Sequence, residues 1–370
     1  MMNRRRFVQL GLSALVLSGP LAGCTRLHAE RDRPQRFLSA ADDANGQHLI
    51  TLADHQGHVL ARVPVAERCH GGCVRPGSAQ VAVFARRPGR ELYILDGREG
   101  ALLHQLSSGD KHHFYGHGVF SEDGQYLYAT ANHFNDGQGQ VRVYDARQQY
   151  QWVADFPVGG MDPHELRLHP DGNTLVIAMG GILTHPDYDR IKLNIDSMRP
   201  ALVLMNRQTG EIEQRHEPSH HQLSCHHLDI SPEGVVIAGY QFEGPEWERP
   251  PLIARLDTRS GLFSEVALPA EALAAMNNYV ASVAVSTRGP LAAITAPRGN
   301  RVVLINYLSG EYVADIHLPD AAGVLPAPQE GFVVTSGLGG IYLLDEQKYT
   351  ATLLNPEELH WDNHLTALES

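Results

Sequence analysis

The sequence predicts an all-β protein folded as a seven-bladed β-propeller. Short runs of alternating apolar and polar residues recur along the chain, separated by clusters of Gly, Asp and Asn, a pattern typical of strands and tight turns. Three histidines, His70, His117 and His164, follow one another at a spacing of 47 residues. A period of this length that is built only from strands indicates propeller blades and not a helical solenoid.

One complete repeat runs from Phe114 to Val158. It contains four strand-like runs, GHGVF, QYLYATA, QVRVYDA and WVADFPV, joined by turn sequences such as SEDG and NDGQG. Four antiparallel strands of this length make one blade. The recurrence of this unit predicts blades that begin near Phe37, His70, His117, His164, His227, Ser282 and Gly323.

The ends of the chain predict how the ring closes. The runs FLSAADD, HLITLAD and VLARVPV after Phe37 match the second, third and fourth strands of the repeat, so the first blade lacks an innermost strand. The stretch Asp362–Leu368 resembles the innermost strands of other blades. We therefore expect a WD40/YVTN-like propeller over residues 37–370 in which the C-terminal strand completes the first blade and leaves no open sheet edge.

The first 24 residues have the pattern of an export signal. Arg4-Arg5-x-Phe7 resembles a twin-arginine signal, and the apolar run that follows is too short for an ordinary membrane-spanning helix. Leu21–Cys24 resembles a lipobox, in which Cys24 becomes the lipidated first residue. We expect a periplasmic lipoprotein attached to the membrane by its lipid anchor alone, with residues 25–36 as a polar linker. An ordinary secretory signal with an unrelated cysteine is the alternative.

Composition and motifs exclude several classes of function. The formal net charge of −12 makes nucleic acid an unexpected partner. The chain has no G-x-S-x-G turn, no H-E-x-x-H helix and no phosphate-binding loop. Sugar-lactone propellers surround calcium with carboxylates, whereas the equivalent positions here hold histidine. Whether the protein is an enzyme remains open from these patterns.

Histidine is the unusual component of the composition, with 21 residues. Five histidines fall at or just before the start of the innermost strand in five neighbouring blades, which predicts that they share the mouth of one channel: His70, His117, His164, His227 and His364. Neutral imidazole suits Fe, Cu, Zn and Ni, and affinity alone would favour Cu. The sequence thus predicts a transition-metal site, with a purely structural role for the histidines as the alternative.

Other side chains are candidates for the surroundings of this site. His113, His185, Arg87 and Arg298 are expected around the rim, and the insertion at residues 180–200 is long enough to be a lid. Cys69 and Cys73 flank His70, and Cys225 precedes His226 and His227. In an oxidising compartment a disulfide between Cys69 and Cys73 is the default expectation. The alternative is that cysteine, including Cys69 or Cys225, acts as a soft ligand for Cu(I).

Several motifs in combination resemble an exported family, the domain-of-unknown-function family 1513. They are RRPG, HFYGHGVFSEDG, DPHEL, GGILTHPDYDRIKLN, QLSCHHL, YVASV and APRGN, and they extend over nearly the whole mature chain. The resemblance implies a periplasmic seven-bladed propeller with a role in iron acquisition, since members are often encoded beside imelysin-type iron-uptake proteins. It implies no defined activity and no catalytic residues. His226 and Ala281 stand where the family pattern has Arg and Gly.

Two functions are compatible with these observations. The first is a metal-binding protein of a periplasmic iron or copper pathway, with a metal-dependent oxidase as one form of it and imelysin-type proteins as partners. The second is an interaction scaffold of a periplasmic uptake complex in which the histidines are structural. A hydrolase or lactonase is a weaker third reading of the same channel.

Overall fold

The computed structural model describes residues 35–188, 191–329 and 331–368. These residues form seven antiparallel sheets, which are the blades of a propeller, so the fold predicted from the repeat is confirmed. The signal segment and Cys24 lie outside the described residues. Among the described residues, no helix has the length and apolar character needed to span a membrane.

Each blade contributes strands from its inner edge outward. Blades one to four contain β1 Arg36–Asp42, β2 His48–Asp54 and β3 Val59–Pro64; β4 Cys69–Val74, β5 Gln80–Ala85, β6 Glu91–Asp96 and β7 Leu102–Ser107; β8 His112–Phe120, β9 Tyr126–His133, β10 Gly139–Asp145 and β11 Gln151–Pro157; and β12 Pro163–Leu168, β13 Thr174–Met179, β14 Ala201–Asn206 and β15 Ile212–His216.

The remaining blades follow the same order. Blades five to seven contain β16 Leu223–Ile230, β17 Val235–Phe242, β18 Ile253–Asp257 and β19 Leu262–Glu265; β20 Ser282–Val285, β21 Leu291–Ala296, β22 Arg301–Asn306 and β23 Glu311–His317; and β24 Ala321–Pro326, β25 Phe332–Ser336, β26 Ile341–Asp345 and β27 Thr350–Asn355. One short helix, α1 Ala270–Ala275, and four 3-10 turns, Ala146–Gln148, Pro186–Tyr188, Ile195–Ser197 and Pro297–Gly299, lie in connections.

The C-terminal segment closes the ring, as predicted. It pairs with β1 as two short strands, β28 His360–Trp361 and β29 Thr366–Leu368, and not as one continuous strand over Asp362–Leu368. The residues between them remain attached to β1, because the Asp362 amide donates to the Ala40 carbonyl (2.9 Å) and the Ser39 hydroxyl donates to the His364 carbonyl (2.7 Å). This interruption lets His364 leave the sheet and enter the channel.

The apolar core lies between the blades, and strands nearer the axis are more completely buried than the outer strands. All residues of β13 and β17 are buried, whereas the outer strand β7 alternates between exposed and half-buried positions. Neighbouring sheets interlock through large side chains, such as Phe84 and Phe114, whose rings lie 5.8 Å apart across blades two and three. A continuous apolar run suits a strand that is covered on both faces, and alternation suits a strand with one wet face. The sheets thereby form a rigid wall around the channel.

Candidate metal centre

Five imidazoles from five consecutive blades meet inside the channel. The His70 ring centroid lies 4.4 Å from that of His364 and 4.9 Å from that of His117. The His227 centroid lies 5.0 Å from that of His164 and 4.8 Å from that of His364. All five side chains are buried, with 1–8% of their surface exposed. We call these residues, which are the five selected by the repeat analysis, the histidine cluster.

The inner strands direct these rings inward through irregular pairing. The register of β12 with β13 shifts between Pro163 and Glu165, which makes His164 an extra residue on the inner strand. Comparable shifts occur beside His70 in β4, before Gly118 in β8 and before His227 in β16. An extra residue in one strand bends the backbone and redirects its side chains. In blades two to five, the register shift of the inner strand therefore turns a histidine side chain toward the channel axis.

Two glycines allow the inner strands of blades two and three to approach closely. A Cβ atom at Gly116 would lie 2.8 Å from Cδ2 of His70, and a Cβ atom at Gly71 would lie 2.7 Å from Nδ1 of His117. Gly116 also has φ +106°, a conformation that other residues rarely adopt. Glycine is therefore required at both positions, because each backbone packs directly against the imidazole of the neighbouring blade.

The placement of the cluster differs from the expectation in one respect. His117 is the sixth of nine residues in β8, and His227 is the fifth of eight in β16, so these two do not lie at strand starts. A bulge shifts the register within the inner strand. The position of a histidine along its strand therefore does not predict how deep in the channel its ring lies. The cluster lies within the channel, with one cavity of about 160 Å³ on one side and another of about 320 Å³ on the other.

Three buried carboxylates lie beside the imidazoles, and two of them hydrogen-bond to a ring nitrogen. Nδ1 of His70 hydrogen-bonds to Asp362, and Nδ1 of His227 lies 3.2 Å from Oε2 of Glu165. The other oxygen of Glu165 lies 3.9 Å from Nδ1 of His117. When Nδ1 donates to a carboxylate, Nε2 carries the lone pair, and this arrangement is the usual support of a metal-binding histidine.

The third carboxylate, Asp162, supports a pair of stacked rings. Its oxygens lie 3.8 Å from Nδ1 of His164 and 3.6 Å from Nε2 of His226. The rings of His164 and His226 are nearly parallel, with centroids 4.1 Å apart. Asp162 itself has a left-handed backbone (φ +58°) and no exposed surface. Such strain at a buried polar residue is characteristic of functional sites.

Each of the three carboxylates also lies close to at least one arginine. Arg68 and Arg86 lie 3.0 Å and 3.2 Å from Asp362, and Arg167 lies 2.9 Å from Glu165. The third pair joins Arg87 to Asp162 at 3.6 Å, which places Arg87 behind the site as the sequence suggested. Each buried carboxylate is thus compensated by a cation and an imidazole, which is what makes a buried charge tolerable.

The electrostatics keep the imidazoles neutral and the carboxylates ionised. Burial lowers the pKa of every cluster histidine below its ordinary value of 6.5, and for His227 to about 4. Burial alone would raise the pKa of Asp362, but Arg86 and His70 hold it well below its usual range. Burial also opposes ionisation of Glu165, but Arg167 and the hydrogen bond from His227 lower its pKa. Neutral imidazole is the form that binds metals.

The residues fit a transition-metal ion. Nε2 of His117, Nδ1 of His164 and Nε2 of His364 are buried without a hydrogen-bond partner among the described residues. A buried polar atom that makes no bond costs about 1–3 kcal/mol, so several in one place indicate that another group completes the site. Three sets bring their ligand atoms within 4.8 Å of one another: His117, Glu165, His227 and His364; His70, His117 and His164; and His164, His226 and His227.

The metal-ion dimensions agree with this spacing. Metal–imidazole bonds of about 2.1 Å keep the ligand atoms of one ion within about 4.2 Å of one another, which is close to the 4.8 Å limit within which the ligand atoms of each set lie. The buried clusters of this propeller could therefore bind metal, and nitrogen donors of neutral imidazole suit Fe, Cu, Zn and Ni.

The expectation of a disulfide between Cys69 and Cys73 was wrong. Both residues are free and buried. They lie in one bulged strand, β4, and pair with Ala85 and Ala82 of β5, so a distance of roughly 10 Å separates them and exceeds the reach of a disulfide. Burial raises the pKa of the Cys69 and Cys225 thiols, which disfavours the thiolate that binds metals. No cysteine belongs to any of the three potential metal-binding sets among the described residues.

The two further candidate histidines lie outside the cluster. His113 hydrogen-bonds to the Phe114 carbonyl and Asn132, and burial lowers its pKa to about 4. Its ring reaches the cluster only through Tyr115, whose centroid lies 6.5 Å from that of His164. His185 packs near Phe134 and lies 3.6 Å from Asp187 in the insertion. Neither belongs to a metal-binding set.

The carboxylates and His226 were the residues that sequence reasoning did not select. A signal for two of them was present, because Asp162-Pro-His164 and Asp362-Asn-His364 share the spacing Asp-x-His. Glu165 directly follows a cluster histidine, and His226 directly precedes one. No repeat-wide pattern marks these four positions, which explains why a search for equivalent residues in every blade passed over them.

Comparisons with known proteins agree with the fold. The model of the family described as Protein of unknown function (DUF1513) matches residues 63–368, and the chain belongs to this family. A comparison with curated proteins gives no significant match. Among solved structures, the chain is similar to a Kuenenia stuttgartiensis hydrazine synthase, with 16% identity, a TM-score of 0.60, and coverage of 83% of this chain and 90% of that chain. Similarity at this level of identity shows the fold alone.

Proposed function

We propose that the protein binds a transition metal, iron or copper, at the histidine cluster and handles it in the periplasm. The observation that carries this proposal is the convergence of five buried imidazoles from five blades, in which Nε2 of His117 and Nε2 of His364 have no hydrogen-bond partner among the described residues. Apolar side chains would fill a purely structural role with less destabilisation, because each buried nitrogen without a hydrogen bond lowers the free energy of unfolding.

The donor set supports a late first-row metal. The imidazoles are neutral, and carboxylates fix their outer nitrogens, as in metal proteins whose second sphere sets ligand orientation. Affinity at nitrogen donors rises toward copper, whereas the expectation that members of the family are encoded beside imelysin-type iron-uptake proteins favours iron. The proposed partner is accordingly an imelysin-type periplasmic protein.

Metal analysis of the purified full chain tests the proposal. We would load the metal-free protein anaerobically with Fe(II), Cu(I) or Zn(II) and measure stoichiometry and affinity. The parent should bind about one equivalent of at least one ion. His117→Ala and His227→Ala should each weaken binding more than about 100-fold, because loss of a direct ligand exceeds the 10–100-fold effect of losing an outer-sphere partner.

A variant in a blade without a cluster histidine provides the control. Ser282 occupies the equivalent position in blade six, so Ser282→Ala should leave metal affinity unchanged. Absence of binding for all three ions in the parent, or undiminished binding in both histidine variants, would contradict the proposal.

The proposed location has its own test. The signal-like motifs predict that Cys24 carries the lipid, and Cys24 lies outside the described residues. A Cys24→Ser variant should be found in the soluble periplasmic fraction, whereas the parent should sediment with the membrane. Equal membrane association of the two proteins would exclude the anchor.

A scaffold is the second candidate, and exposed apolar side chains favour it. Trp247 is 80% exposed, and Tyr188, Ile191 and Leu193 in the insertion are 45–59% exposed. The ion pair between Lys192 and Glu243 brings these two loops together. If the scaffold reading is right, Trp247→Ser with Ile191→Ser should abolish co-purification with the imelysin-type protein, while His117→Ala should leave it intact. The opposite pattern would favour the metal reading.

A further inference from the structure

The smaller cavity beside the histidine cluster opens on the face that carries the connections between second and third strands. Its volume is about 160 Å³, and His70, His164, His226 and His227 form its inner wall. We call this cavity the vestibule. It is the space through which a ligand in the channel would contact the cluster from this face.

Cationic side chains outnumber anionic ones on the wall of the vestibule, although the protein as a whole is acidic. Among its described lining residues, four are cationic, Arg86, Arg87, Lys192 and Arg298, and one, Glu243, is anionic. The formal net charge of the whole chain is −12. The cations come from blades two, four and six, so they approach the cavity from different sides. A low-dielectric cleft lined by one sign of charge attracts ligands of the opposite sign.

The pairing of these cations distinguishes Arg298 from the others. Arg86 pairs with Asp362 at 3.2 Å, and Arg87 lies 3.6 Å from Asp162. Lys192 forms an ion pair with Glu243. Arg298 makes no ion pair with a described carboxylate.

Contact with an aromatic ring holds Arg298 in place. Its guanidinium carbon lies 4.1 Å from the centroid of Tyr279, which also lines the vestibule. Stacking uses the flat face of the guanidinium and leaves its N–H edge available. The edge of a guanidinium donates two parallel hydrogen bonds to a carboxylate.

We propose that the vestibule binds a small dicarboxylate anion next to the histidine cluster. One carboxylate of such a ligand would contact Arg298, and the second would lie against the cations of blade two or blade four, which it would share with their present partners Asp362, Asp162 and Glu243. The volume of about 160 Å³ is close to the roughly 150 Å³ of a cavity known to hold benzene, so a ligand of about six or seven heavy atoms fits the vestibule. A neighbouring cavity of about 410 Å³, which is also lined by Arg298 and Tyr279, leaves room for a longer ligand. This inference deepens the proposed metal function, since the anion would lie beside the metal, but its key residue is not a cluster ligand.

Calorimetry with a charged and an uncharged probe tests the proposal. Malonate has seven heavy atoms and two carboxylates, and malonamide has a similar shape without charge. Both would be titrated into the metal-free full chain and into the chain loaded with Zn(II). Malonate should bind in both states, and malonamide should not.

Two arginine variants from opposite ends of one strand make the test specific. Arg298 follows β21 on the vestibule face, and Arg288 precedes β21 in an exposed turn on the other face. Arg298→Gln should weaken malonate binding at least about tenfold, as expected for the loss of a charge-assisted bidentate contact. Arg288→Gln should leave malonate affinity unchanged, and neither variant should alter Zn(II) affinity.

The outcomes separate this inference from the metal proposal. No malonate binding in either state, equal binding of malonamide, or full affinity in Arg298→Gln would overturn the vestibule site while leaving a measured Zn(II) affinity intact. Malonate binding to a protein that takes up no metal would support the vestibule site and sink the metal proposal.

Discussion

Blades one to five and blades six and seven share one architecture but present different side chains to the channel. Each of the first five supplies an imidazole, whereas the equivalent positions in blades six and seven are near Ser282 and Gly323. Ser282 lines the larger cavity, and a Cβ atom at Gly323 would lie 2.9 Å from Cγ of Leu365. The fold therefore does not require histidine at these positions.

The difference also shows in backbone geometry. The inner strands of blades two to five contain a register shift beside their histidines, and β20 of blade six pairs regularly with β21. Blade seven has a shift after Ala321 without a histidine. A bulge alone is thus insufficient to make the site. The combination of a bulge and an imidazole distinguishes blades two to five from blades six and seven.

The largest effect is expected from removing the segment that closes blade one. A chain stopped at Glu358 loses β28 and β29, and with them His364 and Trp361, which is 2% exposed and packs near Phe37. The unpaired edge of β1 and the lost burial are on the order of the whole stability of a domain, 5–15 kcal/mol. The truncated chain should show no cooperative unfolding transition by circular dichroism.

A point variant distinguishes loss of packing from loss of ring closure. Trp361→Ala keeps the strand, so it should remain cooperative and lose about 3–5 kcal/mol, as large aromatic truncations do. If the truncated chain unfolds at the same temperature as the parent, the C-terminal strand does not stabilise the propeller and the closure argument is wrong.

The second effect concerns the glycine contact that is specific to the histidine-bearing side. Gly116→Ala places a methyl group 2.8 Å from Cδ2 of His70, so it should displace that ring and abolish most metal affinity. The control is Gly261→Ala in the β18–β19 turn, which has φ +71° and no atom within 4 Å of the added Cβ. That change should cost only backbone strain, about 1–2 kcal/mol of unfolding free energy, with unchanged metal affinity. Equal metal affinity in both variants would refute the contact's role.

The fold was more predictable than the site because it follows from local pattern. Strand periodicity, turn residues and the 47-residue spacing are properties of neighbouring residues, and they correctly predicted seven blades and the closing segment. The five cluster histidines could also be predicted from the sequence, because they occupy equivalent positions in the repeat. The bond between His70 and Asp362 joins residues 292 positions apart and depends on ring closure and on bulges, which no local pattern records.

The error about cysteine has a different origin. An oxidising compartment favours a disulfide between Cys69 and Cys73, and the sequence pattern does not place Cys69 in the strand that continues from His70. In the structure both cysteines belong to β4, and even this bulged strand separates them by more than a disulfide can span.

The third effect is acid sensitivity confined to the histidine-bearing blades. The pKa of His227 is about 4 in the folded protein against 6.5 for an unperturbed histidine, because burial disfavours the charged ring. Below pH 6.5 the unfolded chain binds protons that the folded chain does not, so stability falls as pH falls from 6.5 toward 4. For His227 alone the loss approaches roughly 3 kcal/mol.

Hydrogen exchange of the metal-free protein would resolve this loss by blade. Between pH 7 and pH 5, after correction for intrinsic exchange rates, protection should decrease in β4, β8, β12 and β16 more than in β20 and β24. For the same reason metal binding should persist below pH 6.5 and weaken as pH approaches 4, where the imidazoles become protonated. Uniform loss of protection across all blades would show that the buried histidines do not control acid stability.

The smallest effect comes from two carboxylates that share one arginine. Arg167 lies 2.9 Å from Glu165 and 3.9 Å from Asp229. Glu165 faces the histidine-bearing side, where it holds Nδ1 of His227, while Asp229 accepts a hydrogen bond from the Val285 amide of blade six.

Glu165→Gln should lower metal affinity about 10–100-fold, because the amide orients the imidazole less strongly and removes a negative charge. Asp229→Asn removes a charge at the same arginine without touching a cluster ring, so its metal affinity should stay within about threefold of the parent. Titration of both variants with the ion that the parent binds measures the contrast, and equal losses would mean that net charge, and not the orientation of His227, determines the affinity.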